Sequence, residues 1–382
     1  MTDEQKKLKE KVRKIALEHI LPKREEYDRS QQFPWDIVKI LADADIFRAF
    51  IPKEYEGLGG GVLDMGLVTE ELSSVCGGIA LCFAGTCLGA FPIILFGSEE
   101  QKKKYLPDIA SGKKLAAFGL TEPNAGSDAG NIQTSAKKDG NFYILNGTKQ
   151  WITNGGEAET YSIVAMTDKN KGSRGASVFI IEKGMPGFNF GKKENKMGIR
   201  ASATRELIFE NCKVPQENLL GKEGQGFIVA MKTFDKTRPG VAAQAVGIAQ
   251  GALDEAVKYA KKREQFGKSI SSFQAIQFKL ADMATQVEAA RALVYATCRM
   301  VDGGISKVSK ESSMAKVYAS DVAMRVTKEA VGIFGGYGYL QSYPVEKMMR
   351  DAKITQIYEG TNEIQRSIIA LNLIKETMTK RD

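Results

Sequence analysis

The spacing of apolar positions changes twice along the chain. In residues 1–117 it is helical: Leu8, Val12, Ile15 and Ile20 form one stripe, and Ile37, Leu41 and Ile46 a second, at intervals close to the 3.6-residue period that gathers side chains on one helix face. Thr2 with Gln5 forms a capping-box pair, and Pro34 stands where a helix can begin. From 118 to 222 the runs become short, apolar and β-branched or aromatic: Phe142 to Leu145, Tyr161 to Met166, Ser177 to Ile181 and Glu206 to Phe209, separated by Gly, Asn, Asp and Lys. Such runs predict strands joined by turns. After Gly226 the helical pattern returns over 240–266, 273–302 and 308–334, and a last helix is predicted after Thr361, with Ile364, Ile368, Ile369 and Leu373 as its apolar positions. The order α, β, α divides the chain into a helical domain at 1–117, a β-rich domain at 118–222 and a second helical domain at 223–382.

A chain of 382 residues is long enough for two or three domains, and 43% hydrophobic content is ordinary for a globular protein. The most apolar stretch, Ile79 to Phe96, contains Gly85, Thr86, Gly89 and Pro92, which are expected to interrupt it before it reaches membrane-spanning length. The polar, partly acidic start resembles neither a secretory signal nor a transit peptide, so the expected setting is cytoplasmic. Five cysteines without a CxxC pair point to neither a disulfide framework nor a metal site. His19, the single histidine, has no motif around it, which removes Ser-His-Asp and Cys-His hydrolases. The net charge of +8 is dispersed apart from Lys6, Lys7, Lys9, Lys11, Arg13 and Lys14. That is a solvated helix face rather than a nucleic-acid footprint, though a basic surface suits a polyphosphorylated ligand. Gly224-Gln-Gly226 lacks the third glycine of a dinucleotide fingerprint and no Walker lysine is present, so nicotinamide and P-loop chemistry are not expected.

The stretch Arg350 to Arg366 (RDAKITQIYEGTNEIQR) places Glu359 before a glycine and a helix start. Gly360 permits a sharp bend or the close approach of a ligand, and Thr361 is a good N-cap. Read locally, Glu359 is either a positioned base or a carboxylate that solvates a helix N-terminus.

Tyr358 to Arg366 (YEGTNEIQR) resembles the C-terminal signature of the acyl-CoA dehydrogenases, flavoenzymes that oxidise acyl-CoA thioesters. Five further segments resemble the same family in the same order: Phe118 to Asp128 (FGLTEPNAGSD), Trp151 to Gly156 (WITNGG), Phe234 to Pro239 (FDKTRP), Arg263 to Lys268 (REQFGK) and Ile333 to Gly338 (IFGGYG). The resemblance implies an α+β multidomain fold with an N-terminal all-α domain, a middle β-barrel and a C-terminal four-helix bundle. It also implies FAD as cofactor, an electron-transfer flavoprotein as partner, and a homo-oligomer, a tetramer with the dimer as the smallest unit that shares cofactor sites.

By the same resemblance Glu359 removes the α-proton of the thioester while the β-hydrogen leaves as hydride to the flavin, and the thioester carbonyl is held by the N–H of Glu359 and a ribityl hydroxyl. Phe118, Leu120, Thr121, Gly126, Ser127, Trp151, Ile152 and Thr153 match flavin contacts, with Ser127 also reaching the acyl-CoA. Thr361 and Glu363 are expected to face the cofactor. Arg263, Phe266, Gln274, Gly332, Gly335 and Gly336 match the pyrophosphate and adenosine end, generally supplied by a neighbouring subunit. Gly332 departs from the glutamine usual there. Asp235, Lys236, Thr237 and Arg238, expected at the start of the first bundle helix, match the CoA-contacting run, and Tyr358, Gly360 and Ala84 match substrate contacts. No metal is implied. An acyl-CoA oxidase or a catalytically silent scaffold of the same fold is the alternative.

The acyl group is read from Gly77 to Pro92. Ala84 falls where medium-chain members carry a larger acidic side chain, and Ile79 where glutaryl-CoA enzymes carry an arginine, so a distal carboxylate would be buried without a partner. The small residues predict room for an acyl group wider than a short straight chain, alicyclic or aryl-substituted. A plainer reading is that they allow close helix packing around a butyryl or medium chain.

Overall fold

The computed structural model describes residues 1–379. Its first third is helical: α1 (Asp3–Ile15), α2 (Arg24–Ser30), α3 (Trp35–Asp43), α4 (Val62–Val75), α5 (Gly77–Phe96) and α6 (Glu99–Ala110). The capping box at the start of α1 is formed, with Thr2 Oγ1 accepting from Gln5 N at 3.2 Å and Gln5 Oε1 accepting from Thr2 N at 3.0 Å. His19 lies exposed on a π-turn after α1, away from any site.

The expected interruption of α5 does not occur. The helix runs unbroken through Gly85, Thr86, Gly89 and Pro92, and is long and apolar enough, by length and composition, to cross a membrane. Almost every residue from Gly77 to Ile93 is instead buried, against α4, α7 and the first strand. Tertiary burial overrides the local helix-breaking tendency of single residues. Gly89 shows how close the packing is, since a Cβ there would stand 2.3 Å from Ala117 N.

Eight strands follow: β1 (Ala116–Gly119), β2 (Ser135–Asp139), β3 (Phe142–Thr153), β4 (Thr160–Met166), β5 (Ala176–Glu182), β6 (Phe188–Lys193), β7 (Thr204–Pro215) and β8 (Leu219–Leu220). They form one sheet in the order β6-β7-β3-β2-β4-β5-β8, with β1 parallel on β4. Alternate residues point into an aromatic core in which Phe188 stacks on Phe209 at 5.0 Å and meets the edge of Tyr161 at 5.0 Å. The β3–β7 register slips between Lys149 and Ile152.

The C-terminal part holds α7 (Gly226–Lys262), a small hairpin of β9 (Glu264–Gln265) and β10 (Lys268–Ser269), then α8 (Gln274–Asp302), α9 (Ser309–Phe334), α10 (Pro344–Ile354) and α11 (Asn362–Thr379). Helix α7 begins well before residue 240, so Asp235 to Arg238 lie inside it and not at its start. Helix α9 packs on α7, α8, α10 and α11.

Polar rivets join the three parts. Asp302, at the end of α8, accepts from Val62 N at 2.7 Å and Leu63 N at 2.9 Å, satisfying two orphan donors at the start of α4. On α10, Asp351 accepts from Ile199 N at 2.6 Å, and Arg350 bonds Asp28 at 2.7 Å and the Met197 carbonyl at 2.9 Å. The chain is therefore tied to both other domains just before it reaches Glu359.

The loop between β1 and β2 is braced from beneath by a buried ion pair. Lys149 Nζ donates to Glu122 Oε1 at 2.6 Å and to the Leu120 carbonyl at 3.0 Å, while Glu122 also accepts from Gln133 N at 2.6 Å and Thr134 N at 2.9 Å. Burial pushes the lysine down to about 8 against the pull of Glu122, whose own carboxyl is held below its ordinary value chiefly by Lys149. Removing one partner of such a pair strands the other charge in a dry site. Lys149→Met is expected to cost about 3–5 kcal/mol in urea unfolding, and Glu122→Gln/Lys149→Met to recover part of that loss; additive losses would show that the two side chains are not coupled.

Candidate active site

Glu359 owes its position to the turn between α10 and α11. Glu359 has φ 52° and Gly360 φ 91°, so two successive residues sit in the left-handed region, a conformation costly for a non-glycine residue and kept only where its surroundings enforce it. The enforcing contacts are visible. Gln365 Nε2 donates to the carbonyls of Glu359 at 2.9 Å and Gly360 at 3.0 Å, and Arg238 Nε donates to the Glu359 carbonyl at 3.2 Å. Thr361 caps α11 through Ile364 N at 3.3 Å. A Cβ on Gly360 would lie 2.5 Å from Gln365 Nε2, so a side chain there would push aside the amide that holds the turn, besides the strain of its φ.

The side chain of Glu359 faces a cavity of about 550 Å³. Thr237 Oγ1 donates to its Oε2 at 2.8 Å. Among the described residues Oε1 has no hydrogen-bond partner, and neither has the Glu359 backbone N–H. Burial raises the carboxyl to about 7, although the Thr237 hydrogen bond, the Arg238 guanidinium and the Lys316 ammonium all pull it down. The result is a carboxyl that changes charge near neutral pH, on a cavity-lining residue with one oxygen and one N–H left without a hydrogen-bond partner among the described residues.

Fourteen residues singled out in the sequence meet here. Ala84 contributes from α5, and Phe118, Leu120, Thr121, Gly126 and Ser127 from β1 and the loop after it. Trp151, Ile152 and Thr153 come from the end of β3, Thr237 and Arg238 from α7, and Tyr358, Glu359 and Gly360 from the turn. The register slip in β3 accompanies φ 58° at Trp151, which is 56% exposed and lines the cavity rather than packing in the sheet's core. Phe118 packs edge-on to Phe234 at 5.7 Å, with the Arg238 guanidinium 5.4 Å from the same ring.

Other expected residues lie elsewhere. Arg263, Gly335 and Gly336 line a second cavity of about 390 Å³ at the far end of α7, where Arg263 lies 5.4 Å from the Tyr337 ring. Gly332 is one turn back on α9, Phe266 is 93% exposed at the hairpin tip, and Gln274 is exposed at the first residue of α8. Asp235 does not line the main cavity: it is buried, with its carboxylate accepting from Ser309 Oγ at 2.7 Å and its carbonyl from Ser312 Oγ at 2.9 Å. Lys236 also turns away, toward the Val301 carbonyl at 3.4 Å. Thr361 serves as a cap, and Glu363 is exposed in the first turn of α11. Ile79 is fully buried off the cavity wall, so it does not bear on the acyl group directly.

The cavity also uses residues that local pattern did not single out. Met65, Leu81, Leu88 and Val241 line it, together with Ile364 and Ile368 from the apolar stripe of the last helix. Gln244 is the most informative of these, because its amide donates to the Gly77 carbonyl at 3.0 Å and accepts from the Tyr358 hydroxyl, tying α5, α7 and the turn together at the cavity wall. A lone amide within the run Val241-Ala-Ala-Gln-Ala-Val-Gly247 is the signal that could have found it.

The donor set suits a flavin. The hydroxyls of Thr121, Ser127 and Thr153 line the cavity and have no hydrogen-bond partner among the described residues. A Cβ on Gly126 would have no atom within 4 Å, leaving the loop surface open for a ligand to approach, and Trp151 offers an aromatic face beside it.

Comparison with known proteins gives the same reading. Residues 2–113, 117–212 and 224–374 match the N-terminal, middle and C-terminal domains of acyl-CoA dehydrogenase. A short-chain-specific acyl-CoA dehydrogenase of Clostridium acetobutylicum is 50% identical over 97% of this chain and 98% of its own. Among solved structures, butyryl-CoA dehydrogenase of Megasphaera elsdenii is 49% identical with a TM-score of 0.96, covering 98% of this chain and 99% of its own. A chain in a structure of the electron transferring flavoprotein of Acidaminococcus fermentans, which concerns flavin-based electron bifurcation, is 53% identical at TM-score 0.96, with 98% of each chain covered. An acyl-CoA dehydrogenase of Bacillus anthracis complexed with FAD is 36% identical at TM-score 0.93, covering all of this chain and 68% of its own. With helical, sheet and helical parts in this order and a family match along nearly its whole length, the chain belongs to the acyl-CoA dehydrogenase family.

Proposed function

We propose that this chain is an FAD-dependent acyl-CoA dehydrogenase that exchanges electrons with an electron-transfer flavoprotein, acts on short acyl-CoA thioesters and uses Glu359 as its base. The observation that carries this reading is the pairing on Glu359 of an unpartnered carboxylate oxygen and an unpartnered backbone N–H, both at a largely apolar cavity. The α-hydrogen of a thioester is weakly acidic, so its removal needs a base and polarisation of the adjacent carbonyl. One residue offers both.

When bound, FAD supplies the acceptor for the β-hydrogen as hydride, which no side chain can do. Thr121, Ser127, Thr153 and Trp151 would hold its flavin, and Arg263, Gly335 and Gly336 the distant pyrophosphate and adenosine end. The chain's own residues do the remaining work. Thr237 fixes Oε2 and leaves Oε1 to take the α-proton, Arg238 favours the ionised form, and the apolar walls exclude water. The Glu359 N–H would hold the thioester oxygen as charge develops on it.

Chain length is read from the wall. The Tyr358–Gln244–Gly77 hydrogen-bond chain closes the cavity on one side and Met65, Leu81 and Leu88 close it on others. Similarity to a short-chain-specific relative and to a butyryl-CoA dehydrogenase supports a butyryl-sized group there. Ala84 and Gly85 support the wider alicyclic or aryl group as a second reading.

The finer architecture is proposed with the function: domains at 1–117, 118–222 and 223–382, a middle sheet closing as a β-barrel, and a four-helix bundle of α7, α8, α9 and α11. Exposed Phe266 and Tyr339, next in the chain to the lining residues Gln265 and Leu340 of the second cavity, support a homo-oligomer, proposed as a tetramer, in which a neighbour covers the adenosine end. The proposed setting is cytoplasmic.

Glu359→Gln should keep bound flavin yet slow its bleaching by butyryl-CoA by roughly 10²–10⁴-fold; wild-type bleaching would remove the base assignment. Because the base must be ionised, the wild-type single-turnover rate should rise with pH and level off above the value of about 7 held by Glu359. A rate flat from pH 5 to 9 (roughly two units either side) would contradict this. In turnover with an artificial acceptor, butyryl-CoA should exceed octanoyl-, cyclohexanecarboxyl- and arylpropionyl-CoA by about tenfold or more in kcat/KM, since pocket discrimination of a few methylenes is worth ~1–3 kcal/mol. A preference for the cyclic or aryl thioesters would establish the wider pocket.

A further inference from the structure

Lys316 has no place in the mechanism above, yet it is fully buried and its ammonium touches the turn that carries the base. It lies on α9, with Nζ donating to the Gly360 carbonyl at 2.9 Å and to Asn362 Oδ1 at 2.8 Å. Asn362 is in turn held by Ser320 Oγ at 2.9 Å and by Asp321 Oδ1 at 2.8 Å. The Gly360 carbonyl thus takes two donors, Lys316 from α9 and Gln365 from α11. Two left-handed residues in succession need such fixing, because the unconstrained chain would relax out of that conformation.

We propose that Lys316 is a positioning residue for the base: its buried amino group pins the Glu359–Gly360 corner through the Gly360 carbonyl and, while protonated, places a positive charge behind the turn that carries Glu359. This rests on the reading of Glu359 as the base.

A neutral donor would satisfy the carbonyl equally well, so the choice of lysine calls for a reason beyond hydrogen bonding. A buried ammonium is strongly penalised, and burial brings Lys316 down to about 7 even though Glu359, Asp321 and Glu363 hold it up. The charged groups around it are Glu359 on the turn, Arg238 on α7, Asp321 on its own helix and Glu363 on α11. Of the two cations acting on Glu359, Arg238 is bound to that residue's own carbonyl and lies near Asp235 at 3.9 Å, whereas Lys316 reaches the corner from the opposite helix. The sign of its effect follows. Taking the ammonium away removes one of the influences that lower the Glu359 carboxyl, so the base should hold its proton to higher pH and act more slowly at neutrality.

The test uses the full chain with FAD bound and acetyl-CoA as probe. Acetyl-CoA has no β-carbon and cannot be dehydrogenated, so exchange of its methyl hydrogens in D2O, followed by NMR, reads the base without hydride transfer. Lys316→Met should keep its flavin absorption and bind butyryl-CoA about as tightly as wild type, while exchange at neutral pH falls about tenfold and its pH limb moves up by about one unit. A folded Lys316→Met with wild-type exchange and an unmoved limb overturns the proposal. Should that variant not retain flavin, Asn362→Ala decides: it leaves Lys316 in place with one acceptor fewer, and a smaller shift in the same direction supports the proposal, whereas an unmoved limb overturns it. Glu359→Gln is run beside them. Exchange that persists in that variant removes the base assignment, and this inference with it, while loss of exchange there with no change in Lys316→Met removes only the role of the lysine.

Discussion

A carboxylate kept away from water takes up a proton unless fixed partners hold its charge, and the rest of this structure follows from that constraint on Glu359. The proposed proton abstraction next to a thioester calls for a largely apolar cavity, yet dryness alone would leave the carboxyl protonated. Thr237, Arg238 and Lys316 offset part of the burial penalty, and the balance settles near neutrality. Each of these groups comes from a different place along the chain than Glu359, so the environment of this carboxyl, the proposed base, exists only in the assembled domain. Helix α7 brings the hydroxyl and the guanidinium, α9 the ammonium, and α11 the amide of Gln365.

The same need for rigidity explains the polar contacts placed between domains. Asp351 and Arg350 anchor the end of α10 to the middle and N-terminal parts immediately before the turn, and Asp302 ties α8 to α4. Beneath the loop from Leu120 to Thr134, the Glu122–Lys149 pair makes the same kind of contact that Lys316 makes behind the Glu359–Gly360 turn. In both, a buried lysine holds a main-chain carbonyl that has to stay put, and in both an oxygen-bearing side chain accepts its second hydrogen bond. The opposite faces of the cavity are thus set by main chain held from behind, which leaves the side-chain hydroxyls in front free for ligands.

How much of this was legible depended on the range of the interaction. The turn could be read because its signal is local: Glu359, the glycine that permits positive φ and the threonine cap are consecutive. The strands at Tyr161 and Ser177 and the order of helix, sheet and helix were legible for the same reason. Lys149, Lys316 and Gln244 were not, because a lysine or glutamine in a helix or strand looks like a surface residue until a partner distant in sequence is packed against it. Asp235 failed in the opposite way. It shares a run with Thr237 and Arg238, but the helix sends the first two members of that run, Asp235 and Lys236, away from the side that Thr237 and Arg238 face, and Asp235 meets α9. Helix α5 misled because glycine and proline report local preference, whereas its course was decided by burial on three sides.

The unbroken apolar course of α5 has a consequence for biosynthesis. Two of the surfaces that cover it, β1 and α7, lie later in the chain, and α7 does not begin until Gly226. At ~5–20 residues per second of synthesis, the ribosome needs on the order of ten seconds to travel from the end of α5 to the start of α7, and longer to release all of it. Throughout that interval a segment with the length and composition of a membrane span stands without its final cover. The burial of α5 is therefore completed late, by a helix made well over a hundred residues after it (about 130 by the element bounds), so its protection from water is among the last things the chain acquires.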